Sequence, residues 1–351
     1  MLIGAAALER YVGDLFTREG CDPEEGERIG RYLVGANLAG HDSHGVIRVP
    51  RYLALLREGT VVANQTPELV IDGGAFALID AHYGFGQSAG PMALGEGIAR
   101  AKRHGVSVVA LRHAGHLGRI GEWAEQAAGA GLVSIHFVNV AGSLLVAPFG
   151  GVDRRFSTAP FAAAVPVAGA DPIVLDFATS LVAEGKVLVA AKGGKPVPEG
   201  SLIEPDGRLT SDPDTLYSGR GAIRAFGEHK GSGLAMMCEL LAGALTGSGC
   251  AGPPPRRFCN GMLSIYIAPD ICGSDASFAA EVRGYLAFYL DARPAQAGGR
   301  VMAPGDAERE TRARRLAEGV PLTDEVWDSL TAAGAPHGLD AEAYRQGSIP
   351  S

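Results

Sequence analysis

GFGQSAG (residues 84–90) is the stretch whose reading decides the fold. It follows the apolar run AFALID (residues 75–80) and opens a run of helical period, so it invites comparison with the GxGxxG turn of dinucleotide-binding folds. Its spacing carries one residue too many. The next strand-like run, VSVVAL (residues 106–111), is followed by Arg112 and His113, where a Rossmann unit places an acid for the ribose hydroxyls. Glycine-assisted turning at a strand–helix joint is therefore expected here, in a fold that is not Rossmann. The sequence also lacks GxxxxGK[ST], which removes P-loop phosphate chemistry.

Upstream, ELVID (68–72), Gly73, Gly74 and AFALID spell a hairpin. Before it stand three helical runs. The first covers 5–19 and is closed by Gly20. The second has Asp22 as N-cap, Pro23 at N1 and an apolar face of Ile29, Tyr32, Leu33 and Ala36. The third covers 48–57 and stops at Gly59. Downstream, helices are expected over 87–104, 119–130, 180–192, 277–290 and 306–318, with another starting at Thr323. Strands are expected at VSVVALR, LVSIHFV, STAPFAAAVPV, DPIVLDFA and MLSIYIAPD. GSGLAMMCELLAGAL (231–245) reads as an apolar helix buried on most faces. Residues 192–214 form a turn-rich excursion, GSGCAGPPPRR (247–257) a flexible link, and the tail after about 336 is expected to be partly disordered. This order gives an α/β protein of mixed α+β character. A helical unit (1–66, joined by the helices of 306–351) would pack on a mixed-sheet domain (67–305).

Glycine is about twice as frequent as usual, at 50 of 351 residues, consistent with many tight turns and close backbone approaches. A net charge of −8 argues against a nucleic-acid partner. Five cysteines without CxxC spacing suit a reducing compartment, and the N-terminus lacks a signal peptide's basic start. No apolar run reaches the ~18 residues of a membrane span. A cytoplasmic protein without membrane contact is expected.

Chemistry concentrates in three polar clusters. GHDSHGVIRVPRY (40–52) brings His41, Asp42, Ser43, His44, Arg48, Arg51 and Tyr52 to one helix end, a composition suited to proton transfer beside an anion. His113 and His116 follow a strand, and LGRIGE (117–122) would set helix N-terminal N–H groups towards a phosphate. His229 and Lys230 precede another glycine-rich helix start. One alternative gathers His41, Asp42, His44, His113 and His116 as the centre of a metal-dependent hydrolase or lyase. Against it, none of them falls in an HExxH pattern.

Taken together, DSHGVIRVPRY, HLGRIGEW, VAPFGG, PIVLDFATS, GEHKGSGLAMMCELLAGALTG and PGDAERETRAR, in that order, resemble the type-2 malate/L-lactate dehydrogenases. These are NAD(P)-dependent oxidoreductases built on a non-Rossmann nucleotide-binding mixed sheet. The resemblance runs from about residue 5 to 320. It implies NAD as cofactor, with NADP as the alternative, a small 2-hydroxy or 2-oxo acid as substrate, no metal, and a homodimer with its active site near the subunit interface. It implies proton chemistry at Ser43 and His44, with His116 as rival donor. Arg48 would hold the substrate carboxylate, and Tyr52 and Thr158 would line the pocket. Leu117, Gly118, Arg119, Ile120, Asp176, Phe177, Ala178, His229, Lys230, Gly231, Pro304 and Gly305 match cofactor-contacting stretches. The chain departs from the family at His113-Ala114-Gly115-His116, at Thr158-Ala159-Pro160 and at Lys186, where a cyclic-imine-reducing branch carries an aspartate. The last departure favours a hydroxycarboxylate branch over cyclic-imine reduction.

Overall fold

Helices Ala5–Arg18 and Pro23–Leu38 approach so closely that glycine is needed between them. A Cβ on Gly26 would stand 2.6 Å from the Gly13 carbonyl oxygen, and one on Gly30 would stand 2.4 Å from that of Glu9. The computed structural model describes residues 1–191 and 195–346. Ile29, Leu33 and Ala36 are buried as their spacing requires, while Tyr32 sits at the rim with its ring 4.9 Å from that of Trp123. The C-terminal segments close the same core. Leu2–Ile3 pairs antiparallel with Val320–Pro321, and Tyr11 donates to the Leu330 carbonyl at 2.7 Å.

Between His337 and Gln346 the tail, expected to be partly disordered, is ordered. Asp340 caps helix Ala341–Arg345 by accepting from Glu342 and Ala343 N–H, and Tyr344 packs edge-on against Tyr11 at 5.2 Å. Burying a side chain of that kind contributes roughly 1.5–3 kcal/mol, which holds this segment in place. Residues 347–351 lie outside the described residues.

The main sheet has seven strands in the order Glu68–Gly73, Phe76–Asp80, Val106–Ala114, Cys259–Ile267, Val133–Ala141, Pro160–Val165, Ile173–Ala178. Only Phe76–Asp80 and Val106–Ala114 run parallel within it. The other neighbours are antiparallel, so the sheet is mixed and not doubly wound.

GFGQSAG owes its glycines to space. A Cβ on Gly86 would lie 2.3 Å from the His116 carbonyl oxygen, and one on Gly90 would lie 2.5 Å from the buried Trp123 ring. Helix Gly86–His104 follows directly.

A second sheet joins Leu209–Thr210, Leu202–Ile203, Ala222–Arg224 and Val146–Ala147, so the turn-rich excursion contributes two short strands. The helix expected over 180–192 is observed as Glu184–Ala191, and Lys192 falls outside the described residues.

Two expectations are overturned. Residues 231–245 are not buried on most faces: helix His229–Cys238 and the π-helical turn Glu239–Ala244 leave Met236, Met237, Leu240 and Leu245 exposed. Their sheet-facing side is made of small residues that permit near contact; the Cβ of an alanine at 261 would stand 1.9 Å from the Ala242 carbonyl oxygen. The large side chains point away. Residues 247–257 are likewise tied down. Ala251 N–H donates to Glu239 at 2.8 Å, and Arg257 donates to the Gly59 and Thr60 carbonyls while covering the Tyr83 ring at 3.6 Å. Among the described residues no helix is long and apolar enough to cross a membrane.

Candidate active site

After helix Pro23–Leu38 the chain makes two short 3-10 turns, Asp42–His44 and Val46–Arg48. Asn37 fixes them. Its amide donates to Asp42 at 2.7 Å, and its carbonyl oxygen accepts from Val46 N–H at 2.9 Å. Gly45 is needed because a Cβ there would overlap the Asn37 amide at 2.2 Å. Asp42 also receives two hydrogen bonds from Arg315, and His41 stands 3.2 Å from Glu308. These two residues and Arg51, which faces Glu58 at 3.8 Å on the surface, anchor the segment.

What the segment presents is Ser43, His44, Arg48 and Tyr52. The His44 ring lies parallel to the His116 ring, with centroids 5.5 Å apart and planes 13° from parallel. His116 arrives from the end of strand Val106–Ala114, where Gly115 N–H donates to the Gly84 carbonyl at 2.7 Å and Leu117 N–H donates to Asn260 at 2.9 Å. The His44–His116 pair therefore joins the helical layer to the sheet.

His116 Nδ1 faces the Tyr52 hydroxyl. The buried Gln87 amide donates to the Tyr52 oxygen at 3.1 Å, and the Tyr52 hydroxyl lies 2.7 Å from His116 Nδ1. A Tyr52 hydroxyl that donates to Nδ1 places the proton of the neutral ring on Nε2; the His116 carbonyl, 3.4 Å away, is the other acceptor within its reach. Burial pushes the Tyr52 hydroxyl above its ordinary pKa, so it remains a donor. The His44 side is simpler: Ser43 Oγ lies 3.1 Å from His44 Nδ1.

Both rings are held neutral. Burial, with a contribution from Arg48, depresses His116 to about 3. His44 is lowered well below its ordinary value, first by burial and then by the charges of His116 and Arg48. Stacked imidazoles beside a guanidinium can carry one proton between them far more readily than two.

Arg48 donates to the Ser43 carbonyl through Nε at 2.6 Å and faces Glu184 through Nη1 at 3.3 Å. Helix Glu184–Ala191 starts against this segment, where a Cβ on Gly185 would come within 2.9 Å of the Ser43 Cβ. Sequence reading missed Glu184, Gln87 and Asn260. Glu184 lies in VAEGKV and Gln87 in the glycine-rich turn, so both stretches had been marked, but nothing local shows which way those side chains point. Lys186 is exposed on the same helix.

The residues expected to touch a cofactor gather around strand Ile173–Ala178. Asp176 accepts from Gly121 N–H at 2.9 Å, and burial raises its carboxyl above the ordinary range. The first-turn N–H expected to meet a phosphate is thus already occupied. Leu117 and Ile120 are buried, which leaves their backbone as the part able to face a ligand. Arg119 is buried too, committed to Glu125 by two hydrogen bonds, with its Nε lacking a hydrogen-bond partner. Gly118 has φ 72° and Gly305 φ 97°. Val174 N–H donates to the Pro304 carbonyl at 3.1 Å, which seats Pro304 and Gly305 on the strand. Phe177 packs edge-on against Phe226 at 5.2 Å, at the start of the short turn that leads into helix His229–Cys238 with His229, Lys230 and Gly231 in its first turn. Thr158 lies near the far end of Ala178, its carbonyl accepting from Thr179 N–H at 2.9 Å. Arg119 Nε faces Asp176 at 3.7 Å, so the groups that fit a nicotinamide dinucleotide are the glycine backbone and the neutral histidines.

The metal alternative does not assemble. His113 turns away to pair with Asp80 at 3.2 Å, and Asp42 is taken by Arg315. Among the described residues no group of three or more His, Cys, Asp or Glu is set to hold a metal ion.

Comparison with known proteins agrees with this architecture. The profile of the malate/L-lactate dehydrogenase family matches residues 3–331. Hydroxycarboxylate dehydrogenase B of Escherichia coli O157:H7 is 39% identical over 348 residues, spanning 97% of this chain and 96% of that one. A Delta(1)-pyrroline-2-carboxylate/Delta(1)-piperideine-2-carboxylate reductase of Pseudomonas putida is 35% identical over 332 residues, 92% of this chain and 94% of that one. A solved structure from E. coli superposes with a TM-score of 0.93 at 37% identity, covering 99% of each chain. The chain belongs to the malate/L-lactate dehydrogenase family.

Proposed function

We propose that the stacked His44–His116 pair, beside Arg48, moves the proton in the interconversion of a small 2-oxo acid and its 2-hydroxy acid. The reaction follows from the family: the chain is an NAD(P)-dependent oxidoreductase acting on 2-hydroxy acids. The observation that carries the site assignment is the parallel ring pair at 5.5 Å next to a guanidinium.

Reduction requires a hydride on the carbonyl carbon, a proton on its oxygen and a fixed carboxylate. A nicotinamide bound along Leu117–Ile120, Asp176–Ala178, His229–Gly231 and Pro304–Gly305 supplies the hydride. Arg48 offers a planar fork to the substrate carboxylate, and Tyr52 and Thr158 line the pocket. Substrate binding also changes the histidines. In the free chain Arg48 helps keep both rings neutral. A carboxylate on Arg48 offsets that repulsion, so a proton enters the pair as substrate binds. His116, with Nδ1 occupied by Tyr52, presents Nε2 to the carbonyl oxygen. His44, with Ser43, shares and relays the charge.

NAD is the cofactor we assign, with NADP as the alternative, and we place the enzyme in the cytoplasm. Five free thiols support a reducing setting. We assign a homodimer on the exposed apolar side chains Met236, Leu245, Tyr285 and Phe288, more than a monomer leaves to water. The 1–66 and 306–351 helical unit and the 67–305 sheet domain are the division we adopt.

The test is oxidation of NADH and NADPH with pyruvate, oxaloacetate, 2-oxoglutarate, phenylpyruvate and a cyclic imine. Turnover of a 2-oxo acid is expected. Turnover of the imine alone would overturn the substrate assignment, and failure to bind either dinucleotide would overturn the whole reading.

A further inference from the structure

Glu184 is the acidic side chain that Arg48 meets in the free chain. Its Oε2 lies 3.3 Å from Arg48 Nη1, and its Oε1 accepts from the Tyr217 hydroxyl at 3.3 Å. Both members of the Arg48–Glu184 pair are one-quarter exposed, so the pair sits in the wall of the site and not on its outer surface. Its position is fixed from behind. Gly185 leaves 2.9 Å between its would-be Cβ and Ser43, so helix Glu184–Ala191 starts in direct contact with the segment bearing His44 and Arg48.

The charge balance is the consequence. In the free chain, with both histidines neutral, the immediate site holds one guanidinium and one carboxylate, and the proton taken up by the pair with substrate adds one positive charge. Arg48 already spends Nε on the Ser43 carbonyl and Nη1 on Glu184. A substrate carboxylate therefore binds beside an existing anion or displaces it by a short distance. One incoming carboxylate is tolerated because the guanidinium fork has a further edge to offer. A second acid group on the substrate would leave an unbalanced negative charge, because Arg48 and the protonated histidine pair are already matched by Glu184 and the first carboxylate, and like charges brought together in a half-buried cleft are strongly disfavoured.

We propose that Glu184, held by Tyr217, is a specificity-determining residue that selects 2-oxo acids whose side chain carries no second acid group. This rests on Arg48 being the carboxylate clamp of the proposed reaction. The same carboxylate would accept hydrogen bonds from a hydroxyl on the substrate's side chain, which biases the pocket towards neutral, donor-bearing substrates.

A matched pair tests this. 2-Oxovalerate and 2-oxoglutarate have the same chain length, with a methyl group in one where the other has a carboxylate. The ratio of their kcat/KM values, measured on the full-length enzyme with the dinucleotide it prefers, should favour 2-oxovalerate by about tenfold or more. In Glu184→Gln the ratio should collapse towards unity, chiefly through a lower KM for 2-oxoglutarate. Glu184→Ala should give the same collapse, which guards against an effect of the glutamine itself. A ratio unchanged in both variants, or a wild-type preference for 2-oxoglutarate, overturns the proposal. Arg48→Ala separates this failure from that of its premise: it should raise KM for both substrates, and if it raises neither, the assignment of Arg48 as clamp has failed.

Discussion

The Tyr52 hydroxyl lies 2.7 Å from His116 Nδ1 and receives the Gln87 amide at 3.1 Å, so a residue of the third helix orients a histidine at the end of a strand. Phenylalanine at 52 keeps the ring and removes the lock. Tyr52→Phe is expected to lower kcat by about 10- to 100-fold with little change in KM, because proton transfer loses its orienting partner while the carboxylate clamp remains. A change confined to KM would show that Tyr52 only lines the pocket.

Gly185 makes a separate prediction. A methyl group there would press on Ser43 and shift the segment that carries His44 and Arg48. Gly185→Ala should reduce kcat/KM by about tenfold or more, since small displacements of catalytic groups are costly. The melting temperature should fall by only a few degrees. Full activity would mean that the helix start moves freely away from Ser43.

How much of this was legible beforehand varies with the range of the interaction. Helix limits set by Gly20, Pro23 and Gly59 rest on neighbours in sequence and appear where expected, and the hairpin expected to turn at Gly73 and Gly74 turns one residue later, at Gly74 and Ala75. The extra residue in GFGQSAG correctly argued against a Rossmann turn, and the mixed sheet agrees. Insertion of Cys259–Ile267 between Val106–Ala114 and Val133–Ala141 was invisible, because strand order depends on partners far apart in the chain. Gln87 and Glu184 were missed for the same reason: Glu184 meets Arg48 across 136 positions. The apolar pattern of 231–245 was visible, but whether it faces sheet or solvent depends on the small residues Ala242, Gly243 and Gly261, which let one face dock and turn the other outwards.

His136 gives a stability prediction independent of catalysis. It is fully buried between Ser134 and Ser264, and burial depresses it to about 3. Because its folded pKa lies below its unfolded value of about 6.5, the unfolded chain takes up the proton first as pH falls. Its contribution is present above about pH 6.5 and is lost progressively between there and about pH 3. His136→Gln should therefore flatten the acid dependence of urea unfolding by about 1.4 kcal/mol per pH unit between pH 6 and 4. An identical slope in wild type and variant would refute the assignment.

The exposed side chains Tyr285 (67% exposed) and Phe288 (76% exposed) bear on assembly. Both lie on helix Asp275–Leu290, none of whose residues is buried in the single chain. If helix Asp275–Leu290 seals the proposed dimer, wild type should sediment as a dimer and Phe288→Asp as a monomer. A wild-type chain that sediments as a monomer would contradict the assembly.

The central claim is that one proton enters the His44–His116 pair when a carboxylate reaches Arg48, and the pH dependence of kcat/KM in the two directions tests it most directly. For 2-oxo acid reduction, the protonated pair is required while both rings are neutral in the free chain. The rate constant should therefore rise by about tenfold for each unit that pH falls from 8 to 6. For 2-hydroxy acid oxidation, the neutral base is already present, and kcat/KM should be flat over the same range. A pH-independent reduction, or an oxidation that climbs steeply with pH through 7, would contradict it.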